Sequence, residues 1–373
     1  MAAAALEQIT HHGTSIWLDD LSRSRLLLSD EKSLLHLTRT ANVVGVTTNP
    51  AIFANALKDA STYQEAIAAL RGRSATEAIR QITTEDVRTA CDQLRDIFDR
   101  SAGVDGRVSI EVDPRLAHEQ GATVAQAHEL WNEVDRKNLF IKVPATKAGL
   151  PAITELTRAG ISVNVTLIFS LERYREVLLA YLLGLEERLA EGKTLEGIQS
   201  VASFFVSRVD SAIDPLLDGI ADPRARALRG KAAVANARLA YRIFEEVSAT
   251  SRWQQIANAG GAAQRPLWAS TGVKDKAYDP AKYVVELIAP ATVNTMPEST
   301  IHAAKNFSGE IGNTIAGSYS QADQVFKELA ELGISYDSVV TELERDGIIK
   351  FVDAWEALIE TISEQLSRSN HER

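Results

Sequence analysis

Lys142 is the residue of this chain with the clearest capacity for covalent chemistry. It lies within Asn138-Leu139-Phe140-Ile141-Lys142-Val143-Pro144, a short apolar run that is typical of a buried strand. Burial disfavours the ammonium form of an amine, and a neutral amine attacks carbonyl carbons. Lys142 is therefore either a Schiff-base lysine or a lysine at a strand end whose amine reaches water.

Polar residues at the ends of other apolar runs favour the first interpretation. Alternate residues of a barrel strand point inward, and chemistry takes place at the carboxyl ends of the strands. The predicted strand ends carry, in chain order, Asp19, Asn49, Glu111, Lys142, Asn164 with Thr166, Ser203 with Phe205, Arg208 and Ser270. Isolated buried polar groups cost about 1–3 kcal/mol each, so these side chains are expected to partner one another.

The residue types at the strand ends suit the chemistry of a Schiff base. A lysine that condenses with a ketone needs an acid/base partner for the carbinolamine and for carbon–carbon cleavage, and Asp19 and Glu111 could share that work. The alternative for either carboxylate is a solvent-facing position. Thr166 and Asn164 could hold water and substrate hydroxyls, and Arg208 is either a bidentate phosphate clamp or a surface arginine.

Eight apolar runs predict the strands that would position these residues. They are Ser15–Asp19, Val43–Thr48, Val108–Val112, Leu139–Val143, Ser162–Leu167, Val201–Ser207, Pro266–Thr271 and Thr292–Met296. Helical patterns such as Thr123–Arg136, Leu171–Glu191 and Gly230–Val247 alternate with them. This alternation predicts an α/β fold, a closed (β/α)8 TIM barrel, with an open doubly wound sheet as the alternative. No glycine-rich phosphate loop follows the first strand, which weakens a nucleotide-binding version.

Two helical additions extend the predicted barrel. One lies after strand two, between Ala51 and Arg100, and the other forms extra C-terminal helices at about 316–370. We interpret residues 1–373 as one domain, since no low-complexity linker divides them. In the last helix we expect one apolar face to pack on the body of the protein. Its positions with helical spacing are Ile348, Ile349, Val352, Trp355, Leu358, Ile359 and Ile362. The pattern does not decide whether these helices cover the mouth of the barrel.

Composition narrows the function classes. A net charge of −10 argues against nucleic-acid binding, and an anionic substrate would need a local positive site. The single cysteine, Cys91, fits a reducing compartment, and we read neither a signal peptide nor an apolar run approaching the ~20 residues of a membrane span. A cytoplasmic location is therefore expected. No histidine motif of the HExxH type predicts a metal site.

Several motifs resemble the transaldolase family over nearly the whole chain. Gly45-Val46-Thr47-Thr48-Asn49-Pro50 is similar to the family's TTNP motif at the end of strand two. Ser109–Asp113, Phe140–Thr146 and Asn164–Ser170 resemble its motifs in strands three, four and five, of which the second holds the Schiff-base lysine. The segments Leu267–Gly272 and Val293–Pro297 look like the long bacterial branch of the family.

The resemblance implies a function and a role for each residue. The enzyme would belong to the pentose phosphate pathway and transfer a dihydroxyacetone unit from sedoheptulose 7-phosphate to glyceraldehyde 3-phosphate, giving erythrose 4-phosphate and fructose 6-phosphate. Lys142 would form the Schiff base, Asp19 would act as acid/base, and Glu111 and Thr166 would position a water. Binding would fall to Asn49, Asn164, Ser203, Phe205, Arg208 and Ser270. No metal or organic cofactor is implied, and the expected assembly is a monomer or a homodimer.

One position departs from the better-known family pattern. There, a phosphate-binding arginine follows two residues after the serine that ends strand seven, whereas this chain has Gly272. The nearest cation is Lys274, a point charge without the fork of a guanidinium, and Lys147 is a weaker substitute. The departure concerns phosphate binding and not the imine chemistry.

Two other functions remain as alternatives. A fructose-6-phosphate aldolase of the same superfamily would release free dihydroxyacetone, but such aldolases are shorter and usually carry tyrosine where this chain has Phe205. A hydroxyl there could protonate the bound carbanion and release it. A catalytically inactive barrel used for binding would show damage among Lys142, Asp19 and Glu111, all of which are present.

Overall fold

Eight short apolar segments pair side by side as parallel strands in the computed structural model, which describes residues 3–58 and 60–368. The strands are β1 (Thr14–Leu18), β2 (Val43–Val46), β3 (Arg107–Glu111), β4 (Leu139–Pro144), β5 (Val163–Ile168), β6 (Ser200–Phe205), β7 (Gln264–Ala269) and β8 (Thr292–Met296). Each pairs with the next, and β8 pairs with β1. The predicted (β/α)8 barrel is confirmed, and the open-sheet alternative is wrong.

Helices connect the strands and surround the barrel. They are α1 (Ala3–His11), α2 (Arg23–Leu27), α3 (Leu34–Thr40), α4 (Pro50–Lys58), α5 (Ala60–Ala69), α6 (Ala75–Gln93), α7 (Arg95–Arg100), α8 (Gln120–Val134), α9 (Gly149–Ala159), α10 (Leu171–Ala190), α11 (Ser207–Asp218), α12 (Pro223–Leu228), α13 (Ala232–Ser248), α14 (Ser251–Asn258), α15 (Lys282–Val285), α16 (Glu298–Lys305), α17 (Tyr319–Glu331) and α18 (Tyr336–Arg368). The helices predicted after strand two correspond to α4–α7, and those at the C-terminus to α17 and α18. Residues 1, 2, 59 and 369–373 of the predicted ranges lie outside the described residues.

Local sequence explains where helices begin beside the strand ends. The Asn49 side chain accepts a hydrogen bond from the Ile52 amide at 3.0 Å, and Pro50 occupies the first position of α4. The Ser170 hydroxyl accepts from the Arg173 amide at 3.0 Å and begins α10. Both caps place a helix immediately beyond the carboxyl end of its strand.

Several strands end one or two residues earlier than the apolar runs predict. The backbone leaves the regular ladder at these points, yet single hydrogen bonds continue it: the Asp19 amide donates to Met296 and the Thr47 amide to Leu18, each at 2.9 Å. Ser207, predicted as the last residue of strand six, already begins α11, while its amide donates to the Ser270 carbonyl at 3.0 Å. The residues of the strand ends are therefore held in place without belonging to the strands.

The barrel interior is filled and closed at its amino end. Trp17 is fully buried, and its indole donates to Asp105 at 3.1 Å, which also accepts from Arg265 at 3.1 Å. A Cβ on Gly45 would lie 2.5 Å from the Trp17 ring, so only glycine fits at that position of β2. Chemistry is thereby restricted to the opposite, carboxyl end of the barrel.

Helix α18 crosses that end. It contains 33 residues, about 50 Å at 1.5 Å per residue, and packs on α4, α6 and α11 as well as the end of β5. A Cβ on Gly347 would lie 3.1 Å from Leu167, which shows how closely the helix passes. The inward face carries Phe351, Leu358 and Ile362, whereas Ile349 is 50% exposed. The prediction that Ile349 packs inward is wrong, because the buried face of α18 contains Phe351 and leaves Ile349 on the solvent side.

Among the helices of residues 3–58 and 60–368, none combines the length and apolar character that crossing a bilayer would require.

Candidate active site

Strand register alone brings three of the predicted site residues into one row. Glu111 on β3 lies opposite Lys142 on β4, and Lys142 lies opposite Asn164 on β5. Thr166, two residues further along β5, lies opposite Pro144. Because side chains alternate along a strand, the members of this row share the inward face of the barrel.

Lys142 is almost completely buried, with 4% of its surface exposed. Its Nζ donates to the Thr48 carbonyl at 3.0 Å and lies 3.3 Å from Oε2 of Glu111. The Phe351 ring of α18 covers the amine, with its centroid 5.6 Å from Nζ. The amine is held by one neutral oxygen and one carboxylate, and an aromatic ring shields it from solvent.

Glu111 is the acid/base group nearest to the amine. Burial raises its pKa to about 7, although the attraction of Lys142 opposes this effect, and the charge of Asp19 adds to it. Apart from the contact of Glu111 with Lys142, neither the Glu111 carboxyl oxygens nor the buried Thr166 hydroxyl has a hydrogen-bond partner within residues 3–58 and 60–368. Glu111 can therefore exchange a proton near neutral pH and still accept or donate bonds to a reactant.

We expect Glu111→Gln to stabilise the protein at high pH while impairing it chemically. The folded-state pKa of about 7 lies above the ordinary 4.5, so the buried charge costs stability above pH 7, and this cost disappears as pH falls below about 4.5. The gain at pH 8 should be on the order of 1–3 kcal/mol, a few degrees in melting temperature. Thermal unfolding of Glu111→Gln and of the exposed Glu119→Gln at pH 8 and pH 5 measures it. An unchanged or lower melting temperature at pH 8 would contradict the assignment.

Asp19 is the second carboxylate of the site and follows the end of β1, two strands from Glu111 on β3. Its Oδ1 accepts a hydrogen bond from the Thr47 hydroxyl at 2.7 Å, and that hydroxyl also contacts the Thr295 hydroxyl at 2.6 Å. Burial raises the pKa of Asp19, while Lys142 and the Thr47 hydrogen bond oppose the rise. Asp19 is thus an oriented carboxylate that faces the amine and is partly accessible from the mouth.

Asn164 and Ser203 form a buried hydrogen-bonded chain beside Lys142. The Ser203 hydroxyl donates to Oδ1 of Asn164 at 2.7 Å, and the Asn164 amide donates to the Ser109 hydroxyl at 3.0 Å. These bonds fix the orientation of the amide. Asn49 borders the site from β2, with its oxygen engaged in capping α4.

A cationic corner lies at the ends of β6 and β7. The Arg208 guanidinium stacks 5.2 Å from the centroid of Phe205, and burial lowers the pKa of Arg208. In the described part of the chain, no carboxylate forms an ion pair with it. The Ser270 and Ser207 hydroxyls lie 3.0 Å apart at the start of α11, and Ser270 adopts a φ of 55°, which few residues other than glycine take.

Lys274 lies apart from this corner. It is exposed on the loop after β7, although its charge contributes to lowering the pKa of Asp19 against the larger effect of burial. A Cβ at Gly272 would make only an ordinary van der Waals contact, 3.5 Å from the Thr300 hydroxyl oxygen, so a side chain would fit at this position. Strand register, hydrogen bonds and charge interactions connect Asp19, Glu111, Lys142, Asn164 and Ser203. Phe205, Arg208 and Ser270 lie together at the ends of β6 and β7, and Lys274 is exposed.

Four contributors to the site were not predicted from the sequence: the Thr47 hydroxyl on Asp19, the Thr48 carbonyl on Lys142, the Ser109 hydroxyl on Asn164, and Phe351 over the amine. Ser109 could have been found, because it stands two residues before Glu111 and so shares its face. A carbonyl leaves no sequence signal, and Phe351 is one apolar residue among many.

A cavity of about 250 Å³ opens beside the row of strand ends. Asn49 and Glu111 line it together with Phe53, Arg80 and Trp355. Trp355 is partly buried and packs against the core, yet it also borders this cavity. Among residues 3–58 and 60–368, no cluster of three histidine, cysteine, aspartate or glutamate side chains has the arrangement of a metal site.

Comparisons with known proteins agree with the geometry of the site. Residues 16–362 match the family model described as Transaldolase/Fructose-6-phosphate aldolase. Transaldolase 1 of Streptomyces coelicolor is 56% identical over 366 residues, which cover 98% of this chain and 95% of that protein. The transaldolases of Parafrankia sp. and Thermobifida fusca are 53% and 51% identical, and in each case 97% of this chain and 98% of the relative are covered. With its buried lysine between two carboxylates at the barrel mouth, the chain belongs to the transaldolase/fructose-6-phosphate aldolase family.

Proposed function

We propose that this transaldolase transfers a dihydroxyacetone unit between phosphorylated sugars through a Schiff base on Lys142. The donor is sedoheptulose 7-phosphate and the acceptor glyceraldehyde 3-phosphate, and fructose 6-phosphate and erythrose 4-phosphate are the products. The observation that carries the proposal is a buried amine 3.3 Å from a carboxyl group whose pKa is about 7. Such a pair supplies a nucleophile and its proton acceptor in one place.

Imine formation uses Lys142 and Glu111. Glu111 takes a proton from the Lys142 ammonium, and the neutral Nζ then attacks the C2 carbonyl of the ketose. A second proton passes from the nitrogen to the former carbonyl oxygen to give the carbinolamine. The proton held by Glu111 then joins that hydroxyl, which leaves as water and gives the imine. Thr166 and Glu111 can bind this water, because apart from the contact of Glu111 with Lys142 their side-chain oxygens have no hydrogen-bond partners among residues 3–58 and 60–368. The reverse sequence hydrolyses the imine at the end of the reaction.

Cleavage uses Asp19. Its carboxylate removes the proton of the C4 hydroxyl, the C3–C4 bond breaks, and the electron pair moves into the imine to form an enamine while an aldose leaves. The acceptor aldehyde then undergoes attack by C3, and Asp19 returns the proton to the new hydroxyl. The Thr47 hydrogen bond at 2.7 Å keeps the carboxylate aimed at the bound sugar.

The corner formed by Arg208, Ser207 and Ser270 is suited to the phosphate. The Arg208 guanidinium is partly buried and has no carboxylate partner in the described residues, so a bound anion would stabilise its charge. The corner lies at the amino end of α11, where no side chain caps the helix and the dipole favours negative charge. Because the chain carries a net charge of −10, this local field must attract the anionic substrates.

Replacing Arg208 should separate phosphate binding from chemistry. We expect Arg208→Lys to raise KM for fructose 6-phosphate roughly 10-fold and Arg208→Met roughly 100-fold, because lysine retains the charge but not the bidentate fork. Steady-state kinetics with fructose 6-phosphate and with unphosphorylated fructose provide the measurement. Equal losses for both sugars would argue against a phosphate contact. Arg175→Met, at an exposed ion pair with Glu246, is the matched control.

Borohydride trapping tests the function as a whole. The protein is mixed with fructose 6-phosphate, reduced and digested, and the added mass is located. A dihydroxyacetone adduct on Lys142 is the expected result. Added erythrose 4-phosphate should discharge the unreduced intermediate as sedoheptulose 7-phosphate, which distinguishes transfer from release. An adduct on Lys147 or Lys274, or none, would overturn the proposal.

A further inference from the structure

A second acidic residue stands directly beside Asp19 and is bound by an arginine. Asp20 follows Asp19 on the loop after β1, and its Oδ2 accepts a hydrogen bond from Nε of Arg25 at 2.6 Å. Nη2 of Arg25 donates to Glu298, in the first turn of α16, at 2.6 Å, and Nη1 donates to the Lys32 carbonyl at 2.7 Å. The Arg25 side chain is only 13% exposed, so this guanidinium is engaged by three partners.

The arrangement bears on Asp19 through charge. Burial has the largest effect on the pKa of Asp19 and raises it, and the neighbouring charge of Asp20 raises it further. The other charged groups that face Asp19 are Lys142 on β4 and Lys274 after β7, which lower its pKa, and Glu111 on β3, with which it interacts unfavourably. Arg25 is the cation that forms an ion pair with Asp20 itself.

The other arginine of α2 is engaged elsewhere. Arg23, two residues earlier, donates to Asp86 at 2.9 Å and stacks on Tyr63 at 5.0 Å from the ring centroid. Two positions along a helix correspond to about 200°, so Arg23 points to the opposite side of α2, within the contact to α6. Among the cations of residues 3–58 and 60–368, Arg25 is therefore the one whose ion pairs join the loop after β1 to the helix after β8. Asp19 belongs to that loop, and its amide donates to the carbonyl of Met296 at the end of β8 at 2.9 Å.

We propose that Arg25 is a positioning residue that cancels the charge of Asp20 and thereby keeps Asp19 ionised and able to take the sugar hydroxyl proton. The inference rests on the proposed role of Asp19 as the base of the cleavage step. The proposed effect is electrostatic. The protonation state of Asp19 depends on whether the charge of Asp20 is neutralised, and not merely on an intact loop.

The test is the pH profile of kcat/KM for fructose 6-phosphate with erythrose 4-phosphate as acceptor. Arg25→Met should move the acid limb of the profile upward by roughly 0.5–1 pH unit, and Arg25→Lys should leave it close to the wild-type position. Asp20→Asn alone should move the limb downward, and Asp20→Asn combined with Arg25→Met should cancel the upward shift. A loss of activity that is uniform across pH, or a double variant that keeps the upward shift, would overturn the inference.

Two further variants separate charge from structure. Glu298→Gln removes the distal end of the arginine contact but leaves Asp20 paired, so the acid limb should stay in place; a shift as large as that of Arg25→Met would show that loop geometry is responsible. If Arg25→Met does not fold, Arg25→Lys and Asp20→Asn still test the inference. Charge neutralisation predicts that Arg25→Lys leaves the acid limb in place and that Asp20→Asn moves it downward. A merely structural role predicts a loss of activity that is uniform across pH.

Failure of the proposed function gives a different signature. If Asp19→Asn retains the cleavage activity and its acid limb, the proposed role of Asp19 is wrong. If Asp19→Asn abolishes cleavage while the Arg25 and Asp20 variants leave the limb unmoved, only the inference about Arg25 fails. Borohydride trapping on Lys142 in every variant verifies that the imine step is intact.

Discussion

Lys142→Met is expected to abolish both the borohydride adduct and the transfer reaction. The loss of kcat/KM should be at least about a thousandfold, because no other amine can replace a nucleophile that bonds covalently to the substrate. Methionine fills a similar volume without charge. Glu111, whose pKa is about 7, can become protonated once its cation is removed, so folding should persist.

The measurement combines coupled kinetics with mass spectrometry after reduction. Lys137→Met is the matched control, since Lys137 lies five positions before Lys142 in the chain and its side chain is exposed. This variant should retain nearly full activity and an adduct on Lys142. A Lys142→Met protein that still traps dihydroxyacetone, or that retains more than a few per cent of its activity, would refute the nucleophile assignment.

Asp19→Asn is expected to stop the reaction one step later. Asparagine preserves the acceptor that the Thr47 hydroxyl uses at 2.7 Å but cannot remove a proton from the C4 hydroxyl. The cleavage rate should fall about 10²–10⁴-fold, the contribution of a positioned general base. Imine formation depends on Lys142 and Glu111 and should survive.

The adduct mass distinguishes these steps. Reduction of wild-type protein with fructose 6-phosphate should leave a three-carbon adduct on Lys142, whereas Asp19→Asn should leave the intact six-carbon phosphate. Asp30→Asn, in the exposed turn after α2, is the control and should behave as wild type. A three-carbon adduct formed at the wild-type rate in Asp19→Asn would assign the base to another group.

Helix α18 explains how the covalent intermediate could be protected. Phe351 lies over the amine, and Gly347 allows the helix to approach Leu167 and Phe169 at the end of β5. Leu167 has a φ of 60°, and the pairing of β5 with β6 is irregular between Val165 and Ile168. This irregularity of β5 lies where α18 passes close to the strand, since a Cβ on Gly347 would lie 3.1 Å from Leu167.

The sequence by itself determined the barrel and the row of polar residues at its strand ends. Apolar runs of five to seven residues separated by helical patterns leave few alternatives for pairing, and side-chain alternation fixes which residues face inward. Glu111, Lys142 and Asn164 were found because each is a polar residue in an apolar run.

Only the tertiary structure decided how that row is completed and covered. The Thr48 carbonyl that holds Lys142 is separated from it by 94 positions, and a backbone oxygen has no signature in the sequence. The spacing of apolar residues in α18 predicts an amphipathic helix but tolerates several rotations, so Phe351 could not be distinguished from Ile349, which faces solvent. The physical reason is that local patterns depend on neighbours within one element, whereas the cover over Lys142 and the partners of Asp19 depend on contacts between elements far apart in the chain.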